Sequence, residues 1–321
     1  MLPDSTRSLN HSLAVGETYI FSINVSRLMS TILGISTVKK TVCYIFSGKV
    51  IEKSVAVNPL KSVAVSPLGT GFLVFLPNPR EQGKFLGYFV TAKHVLKNKS
   101  GEYYPEIFVR TNLKNWSPND KKLGIKWARL PVTGRDGNLE WLVHSNPGVD
   151  LAVLPMFPSS ETFDIWAVPS KAFLTYKNLS KTGVLEGQEI FLPCFTPEIP
   201  QHRRNYPIIR FGRIALISTE EFQIQEGNSR FHFAECFPLG GNSGSPVFIR
   251  KSRKNPETNR TEDKYGLLGI MSAYGYVKQH VKIQQTQTRF WLSQHMGIAF
   301  ITPVDYLREI LDSDLAQKLK K

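Results

Sequence analysis

The feature that most constrains this fold is a regular alternation of short apolar runs and turn-forming clusters from about residue 48 onward. The runs are rich in Val, Ile, Phe and Tyr, and clusters of Gly, Pro, Asn and Asp separate them about every ten to twenty residues. This spacing predicts an all-β sandwich or barrel. The predicted strands cover residues 61–65, 71–76, 85–91, 106–111, 124–131 and 151–154 in a first half, and 189–194, 208–217, 231–236, 246–250, 265–272 and 297–301 in a second half.

One segment near the C-terminus has the spacing of a helix instead. It follows a Thr-Pro pair at 302–303, and lysines are concentrated at its end. Its apolar residues recur at intervals of three and four, which predicts a helix packed on the last strand. They are Val304, Leu307, Ile310, Leu311 and Leu315.

Composition places the chain among ordinary globular proteins. Its 321 residues are 41% hydrophobic and 21% charged, which excludes disordered and fibrous classes and allows one large domain or two small ones. The net charge of +14 favours anionic partners such as nucleic acid or an anionic membrane surface. The basic residues are scattered without a run of five or six, so a solvated basic surface is the simpler interpretation.

Cysteine usage indicates a reducing compartment. Cys43, Cys194 and Cys236 are odd in number and far apart, which makes a poor framework for disulfides. We find neither the pattern of a signal peptide nor an apolar stretch of membrane-spanning length. We therefore expect a cytoplasmic protein without a membrane span.

Three short segments carry residues suited to catalysis. The segment 241–246, Gly-Asn-Ser-Gly-Ser-Pro, lies between two apolar strands, and its small residues allow a sharp turn that exposes the hydroxyl of Ser243. His94 closes an apolar strand, and its side chain is suited to proton transfer near neutral pH. Asp150 enters another apolar strand, where a carboxylate is costly to bury unless it is paired.

Together these segments resemble the trypsin-like serine peptidase family. The segment 91–94, Thr-Ala-Lys-His, resembles the family's Thr-Ala-Ala-His, 150–152 resembles Asp-Ile-Ala, and 241–246 resembles Gly-Asp-Ser-Gly-Gly-Pro. The segment 69–72, Gly-Thr-Gly-Phe, is similar to the strand that precedes the histidine strand. The resemblance spans about residues 60–312, and within the family it is to the bacterial-type, HtrA-like branch, here without a PDZ domain.

The resemblance implies two six-stranded antiparallel Greek-key barrels of chymotrypsin type, followed by the C-terminal helix. It places a trypsin-like peptidase domain at 48–321, with barrel one at about 48–155, a linker at about 156–187 and barrel two with the helix at about 188–321. Residues 1–47 remain an N-terminal extension of unknown role.

The resemblance also implies catalytic roles. Ser243 is the expected nucleophile, His94 the general base, and Asp150 the residue that orients the histidine. The backbone N–H groups of Gly241 and Ser243 are expected to form an oxyanion hole. Ser272 resembles the serine that abuts the aspartate and lines the substrate cleft, although a strand serine without a role is the alternative.

Specificity is expected to depend on the position six residues before the nucleophile, which is Phe237. An apolar side chain there cannot pair with a substrate Lys or Arg, so we expect an apolar, small to medium P1 residue. Tyr274 and Gly275 are candidates for the opposite wall of the pocket. Ser245 departs from the family's second glycine, and Asn242 cannot form the ion pair by which digestive proteases are activated.

Two alternatives to an endopeptidase stay open: a catalytically silent double barrel that acts as a binding or scaffold module, and a basic protein associated with nucleic acid. The nucleic-acid alternative rests on net charge alone and is not favoured. The expected partner is a protein or peptide substrate, and a regulatory partner is left open. No cofactor and no metal are expected.

Overall fold

The computed structural model describes residues 20–22, 35–50, 63–199, 201–224, 227–254, 259, 261–282 and 289–320. Strands dominate, in two separate sheets, and the longest helix follows the last strand. The predicted all-β class with a C-terminal helix is confirmed.

The first sheet contains nine strands in the order β6-β5-β2-β3-β4-β8-β7, with β1 on β4 and β9 on β3. All pairs are antiparallel except β3 with β9. Six of the strands have four or more residues, and β1, β7 and β9 are short additions. The bounds are β1 Ile20–Ser22, β2 Val42–Val50, β3 Val63–Pro77, β4 Lys84–Thr91, β5 Glu106–Asn112, β6 Ile125–Pro131, β7 Leu142–Val143, β8 Ala152–Pro155 and β9 Val168–Pro169.

The second sheet is a closed six-stranded barrel in the order β10-β11-β12-β15-β14-β13. Because β12 pairs with β15 and β13 pairs with β10, neighbouring strands are not always consecutive in the chain. The bounds are β10 Glu189–Cys194, β11 Ile208–Ile224, β12 Gly227–Glu235, β13 Pro246–Lys254, β14 Thr261–Lys282 and β15 Arg289–Pro303. We call this sheet barrel two.

Three α-helices accompany the sheets: α1 Ile35–Val38, α2 Tyr176–Thr182 and α3 Val304–Lys320. Among the described helices, none combines the length and the apolar character needed to cross a membrane. Leu315 was one of the apolar residues used to predict this helix. The structure does not describe its side chain.

The first sheet begins earlier than the predicted boundary at residue 48. β2 starts at Val42 and pairs with both β3 and β5, so it is an inner strand. Its residues from Val42 to Phe46 are all buried, which left no alternation to reveal a strand. Residues 1–19 and 23–34 of the predicted extension lie outside the described residues.

The predicted linker at 156–187 contains elements of its own. β9 joins the first sheet, and the N–H of Leu174 donates to the oxygen of Leu267 in barrel two at 2.9 Å. The segment therefore lies across both sheets and contributes side chains to their cores.

One apolar cluster, which we call the seam, lies between the two sheets. Along β4, side chains alternate between the core of the first sheet, which takes Phe85 and Phe89, and the seam, which takes Tyr88 and Val90. This is why β4 is apolar on both faces rather than on one. Barrel two contributes Phe248, Leu267 and Ile270, and α3 contributes Val304, Leu307, Ile310 and Leu311. Helix α3 therefore completes a core that both sheets share.

We predict that Leu307→Ala destabilises the whole chain by about 2–5 kcal/mol, because it leaves a cavity where the side chain is fully buried in the seam. Thermal unfolding followed by circular dichroism measures the effect. Both sheets should melt together at a lower temperature. The matched control is Asp312→Ala on the exposed side of α3, which loses only a surface pair with Arg308 and should change stability by less than about 1 kcal/mol.

Candidate active site

His94 lies on a short 3-10 turn, Lys93–Leu96, directly after β4. Val95 and Leu96 are buried in the core of the first sheet and anchor the turn, while the side chain of His94 is 47% exposed. The turn therefore holds the histidine backbone firmly and presents its imidazole at the surface.

Asp150 lies just before β8 and accepts two hydrogen bonds from His94. The backbone N–H of His94 donates to Oδ1 at 2.9 Å, and Nδ1 donates to Oδ2 at 2.7 Å. Val149 and Leu151 are buried on either side and fix the carboxylate. Because Nδ1 is the donor, Nε2 is the imidazole nitrogen that can accept a proton.

The charge state of Asp150 follows from these contacts. Burial raises the pKa of this carboxyl, but His94 and the nearby Lys93 lower it by a larger amount in total. The pKa of Asp150 therefore lies below its ordinary value of 3.8, and the group is ionised at neutral pH.

The loop before Asp150 is tied to both sheets. Lys93 Nζ donates to the carbonyl oxygen of Pro147 at 2.5 Å, and Asn146 Nδ2 donates to the oxygen of Asn228 in barrel two at 2.9 Å. His144 Nε2 lies 2.7 Å from a carboxylate oxygen of Glu309 on α3. The position of Asp150 thus depends on contacts from three elements.

Ser243 lies in a tight loop between β12 and β13. Gly241 and Gly244 have φ of +87° and +83°, values that residues with a Cβ rarely adopt. Asn242 is fully buried: its Nδ2 donates to the oxygen of Phe195 at 2.7 Å and its Oδ1 accepts from the N–H of Leu239 at 2.8 Å. The amide of Asn242 therefore stabilises this loop from inside.

Ser245 is also fully buried, and its N–H donates to the oxygen of Asn242 at 3.1 Å. Its hydroxyl is buried and has no hydrogen-bond partner among the described residues.

Thr70 of β3 connects the serine loop to the first sheet. Its N–H donates to the oxygen of Ser243 at 2.9 Å, and its Oγ1 donates to the oxygen of Gly241 at 2.8 Å. Oγ1 also accepts from the N–H of Phe195 at 3.0 Å. This bridging role depends on contacts between the two sheets, so the Gly-Thr-Gly-Phe motif around Thr70 does not predict it.

The serine loop packs against the turn that carries His94. A Cβ added at Gly244 would lie 2.0 Å from the oxygen of Thr70 and 3.1 Å from the nitrogen of Ala92. A Cβ at Gly69 would lie 2.8 Å from Val95 and 2.9 Å from the oxygen of Ser243. Ala92 and Val95, on either side of His94, are therefore close to the serine loop or to Gly69 beside it. Glycine at positions 69 and 244 leaves room for this close packing.

The backbone around Ser243 leaves two donors available. Within the described part of the chain, the N–H groups of Gly241 and Ser243 donate to no acceptor, whereas those of Asn242, Gly244 and Ser245 do. The hydroxyl of Ser243 donates a long hydrogen bond of 3.5 Å to the carbonyl oxygen of Ser272.

Ser272 itself contacts a different residue from the one expected. Its hydroxyl lies 2.5 Å from Oγ1 of Thr302, and no hydrogen bond between described residues joins it to Asp150. Its backbone oxygen, rather than its side chain, is directed at Ser243.

Two of the expected specificity residues, Phe237 and Tyr274, contact the same side chain. Phe237 is 61% exposed, and Tyr274 is 41% exposed. Both rings contact the imidazole of His295, with centroids at 5.3 Å and 4.6 Å. A Cβ at Gly275 would lie 3.0 Å from the sulfur of Met296. His295 was not among the residues expected at the site, although the segment 293–297, Ser-Gln-His-Met-Gly, places it two residues before the last predicted strand.

Neither metal ligation nor a disulfide is apparent in the described regions. The three cysteines are buried free thiols, and burial raises the pKa of Cys43 and of Cys194 to about 11. Among the residues that the structure describes, no three His, Cys, Asp or Glu side chains are grouped as metal ligands.

Comparisons with known proteins give fold likenesses only. No protein-family profile matches the chain, and no curated protein matches its sequence. The MamO protease domain of Magnetospirillum magneticum, in its apo form, is 18% identical over 72% of this chain and 93% of its own, with a TM-score of 0.38. The inactive form of the Rv3671c protease of M. tuberculosis H37Rv is 12% identical over 87% of this chain and 91% of its own, with a TM-score of 0.40. Likenesses of this kind assign neither a family nor an activity to the chain.

We predict that Asp150→Asn lowers the free energy of unfolding by about 1–3 kcal/mol at pH 7, because one partly buried acceptor of the two His94 bonds is replaced by a donor. The folded-state pKa lies below the ordinary value, so the ionised group contributes stability that is complete above about pH 4 and is lost as pH falls through the folded pKa.

Urea unfolding from about pH 3 to pH 7 tests this linkage. The difference in the free energy of unfolding between wild type and Asp150→Asn should be constant near pH 7 and should shrink below about pH 4. Asp312→Asn, on the exposed face of α3, serves as the control and should differ little from wild type. If this free-energy difference stayed the same down to pH 3, the lowered pKa of Asp150 would be contradicted.

Proposed function

We propose that the chain is a serine endopeptidase of the trypsin-like type, in the bacterial-type branch that its motifs resemble. The observation that carries the proposal is the junction of the two sheets. There the His94 and Asp150 pair on the first sheet adjoins the Ser243 loop of barrel two, and Thr70 bonds to that loop directly. The proposed peptidase unit runs from β2 through α3.

In this mechanism the hydroxyl of Ser243 attacks the carbonyl carbon of the scissile bond, and Nε2 of His94 accepts its proton. The bond between carbon and nitrogen breaks as His94 returns that proton to the leaving amine, which leaves an acyl ester on Ser243. A water molecule, deprotonated by the same nitrogen, then hydrolyses the ester. The hydrogen bond between Ser243 and the Ser272 oxygen must give way to one with His94 as the substrate binds.

Asp150 supports these steps in two ways. It holds Nδ1 as the protonated nitrogen, so that Nε2 is the nitrogen that accepts the proton, and its negative charge stabilises the imidazolium that forms. A charged carboxylate at neutral pH is required for both, and the lowered pKa of Asp150 is consistent with that requirement.

The N–H groups of Gly241 and Ser243 are proposed to stabilise the oxyanion. They have no acceptor among the described residues, and the loop that carries them is fixed by Asn242 and Thr70. Preorganised donors of this kind contribute about 3–4 kcal/mol each to the transition state.

We predict that Ser243→Ala abolishes both peptide hydrolysis and labelling by a fluorophosphonate probe, because the change removes the attacking oxygen. Mass spectrometry of the labelled wild type should locate the adduct on Ser243. Ser245→Ala is the matched control, since its hydroxyl is buried without a described partner and its loss leaves the nucleophile in place.

His94→Ala should be comparably inactive, because residues that act as a unit are not additive. His202→Ala, at an exposed position, is its control. A folded wild-type chain that the probe fails to label would support the catalytically silent binding module instead, and labelling of Ser243→Ala would place the nucleophile elsewhere.

A further inference from the structure

The strand that leads to Asp150 contributes little to holding that residue in place. β7 has two residues, and in the described part of the chain its only strand partner is β8. Residues 144–149, which follow β7 and which we call the Asp150 loop, belong to no strand. The position of Asp150 therefore depends on the contacts that the Asp150 loop makes with other elements.

His144, the first residue of the Asp150 loop, bonds through both nitrogens of its ring. Nδ1 accepts a hydrogen bond from the backbone N–H of Asn146 at 3.0 Å, so Nδ1 is unprotonated. In the neutral imidazole the hydrogen is then on Nε2, which donates to Oε2 of Glu309 on α3 at 2.7 Å. The ring also packs edge-to-face on Tyr306 of α3, with centroids 5.0 Å apart. These three contacts fix both the tautomer and the orientation of the imidazole.

The bond to Nδ1 begins a series of hydrogen bonds that ends next to Asp150. Asn146 accepts from the N–H of Gly148 through its side-chain oxygen at 2.9 Å, and from the N–H of Val149 through its backbone oxygen at 3.1 Å. Val149 is buried and directly precedes Asp150. The course of the backbone from His144 to Asp150 is therefore specified by bonds that start at the imidazole.

Glu309 connects the Asp150 loop to barrel two. Its Oε2 accepts from His144, and its Oε1 lies 3.7 Å from a terminal nitrogen of Arg230 on β12. The hydroxyl of Tyr306, one turn earlier on α3, accepts from the backbone N–H of Arg230 at 3.2 Å and from its Nε at 3.3 Å. One carboxylate on α3 thus bonds to residues of both sheets.

These contacts determine position more than stability. The side chain of Glu309 is 49% exposed, and ion pairs at that exposure contribute little to the free energy of unfolding. The buried seam, by contrast, stabilises the packing of α3 on the two sheets. Loss of the bond between His144 and Glu309 should therefore move the Asp150 loop without unfolding the chain.

We propose that His144 is a positioning residue of the site, and that helix α3 acts on Asp150 through it. With Nδ1 accepting and Nε2 donating, His144 holds the Asp150 loop so that the carboxylate of Asp150 receives both hydrogen bonds from His94. The consequence for catalysis rests on the proposed endopeptidase function, and it concerns regulation of the same site: His94 and Asp150 are aligned only while α3 is packed in place.

The tautomers of the histidines test this proposal without an assay of activity. Nitrogen NMR of the chain with isotopically labelled histidine side chains, recorded above the pH range in which histidine titrates, distinguishes the two neutral tautomers. In the wild type we expect the Nδ1–H form for His94 and the Nε2–H form for His144. In His144→Ala, His94 should become a mixture of both forms, because a displaced Asp150 no longer holds its Nδ1–H. His202→Ala is the matched control and should leave His94 in the Nδ1–H form.

Kinetics provide the second measurement. His144→Ala should lower kcat for a peptide substrate by about 10- to 100-fold, since a small displacement of Asp150 disturbs the geometry of proton transfer. KM should change by less than about twofold, because the ring of His144 contacts α3 and its own loop rather than the substrate. A raised KM with an unchanged kcat would contradict a positioning role.

Conservative variants separate the two bonds of His144. His144→Asn retains a side-chain acceptor for the N–H two residues on, so it should recover part of kcat and part of the Nδ1–H form of His94. Glu309→Gln retains an acceptor for Nε2 and should keep most of the activity, whereas Glu309→Ala should resemble His144→Ala. Asp312→Ala, on the same helix, is the control and should match the wild type.

Thermal unfolding by circular dichroism should show that these variants remain folded. If His144→Asn and Glu309→Gln were as impaired as the corresponding alanine variants, the assigned hydrogen bonds would be wrong.

The two proposals fail in different ways. A wild-type chain that the fluorophosphonate probe does not label defeats the endopeptidase, and the tautomer of His94 in His144→Ala still decides whether His144 positions Asp150. A chain that the probe labels, and whose His144→Ala variant keeps the single tautomer of His94 and the wild-type kcat, leaves the endopeptidase intact and overturns the role of His144.

Discussion

The shared apolar seam is the constraint on which the rest of the structure depends. β4 places one set of its side chains in the core of the first sheet and the other set in the seam, and α3 fills the seam from the opposite end of the chain. Burial of this seam fixes the two sheets against each other. The turn after β4 and the serine loop of barrel two then meet at one defined place, which is what a site assembled from two halves requires.

Polar contacts at the edge of the seam convert that packing into a specific geometry. Thr70 bonds to the backbone of Gly241 and Ser243, and Asn242 bonds inward to Phe195. Apolar burial is nondirectional, whereas these hydrogen bonds specify distances and angles. Apolar burial and hydrogen bonding act together around Asp150 as well. Its buried neighbours hold the carboxylate in place, and His94 donates two hydrogen bonds to it.

Local patterns were sufficient for the features that depend on neighbouring residues in the chain. They predicted segments of most of the longer strands, helix α3 and the three segments that carry His94, Asp150 and Ser243. They failed where a residue's environment comes from distant elements. β2 is buried on both faces, so its sequence shows no apolar–polar alternation, and the hydroxyl of Ser272 bonds to Thr302 on the neighbouring strand β15. The surroundings of His295 depend on an irregular pairing of β14 and β15, which no spacing in the sequence indicates.

The place of α3 in chain order has a consequence for synthesis. The helix follows every described strand, yet it completes the core between the sheets. During translation the first sheet and barrel two leave the ribosome before the residues that fill the space between them. The turn that carries His94 and the loop that carries Ser243 therefore gain their fixed relation only when the helix has emerged. Under the proposed function, a nascent chain has no assembled site with which to cleave itself or its neighbours until that point.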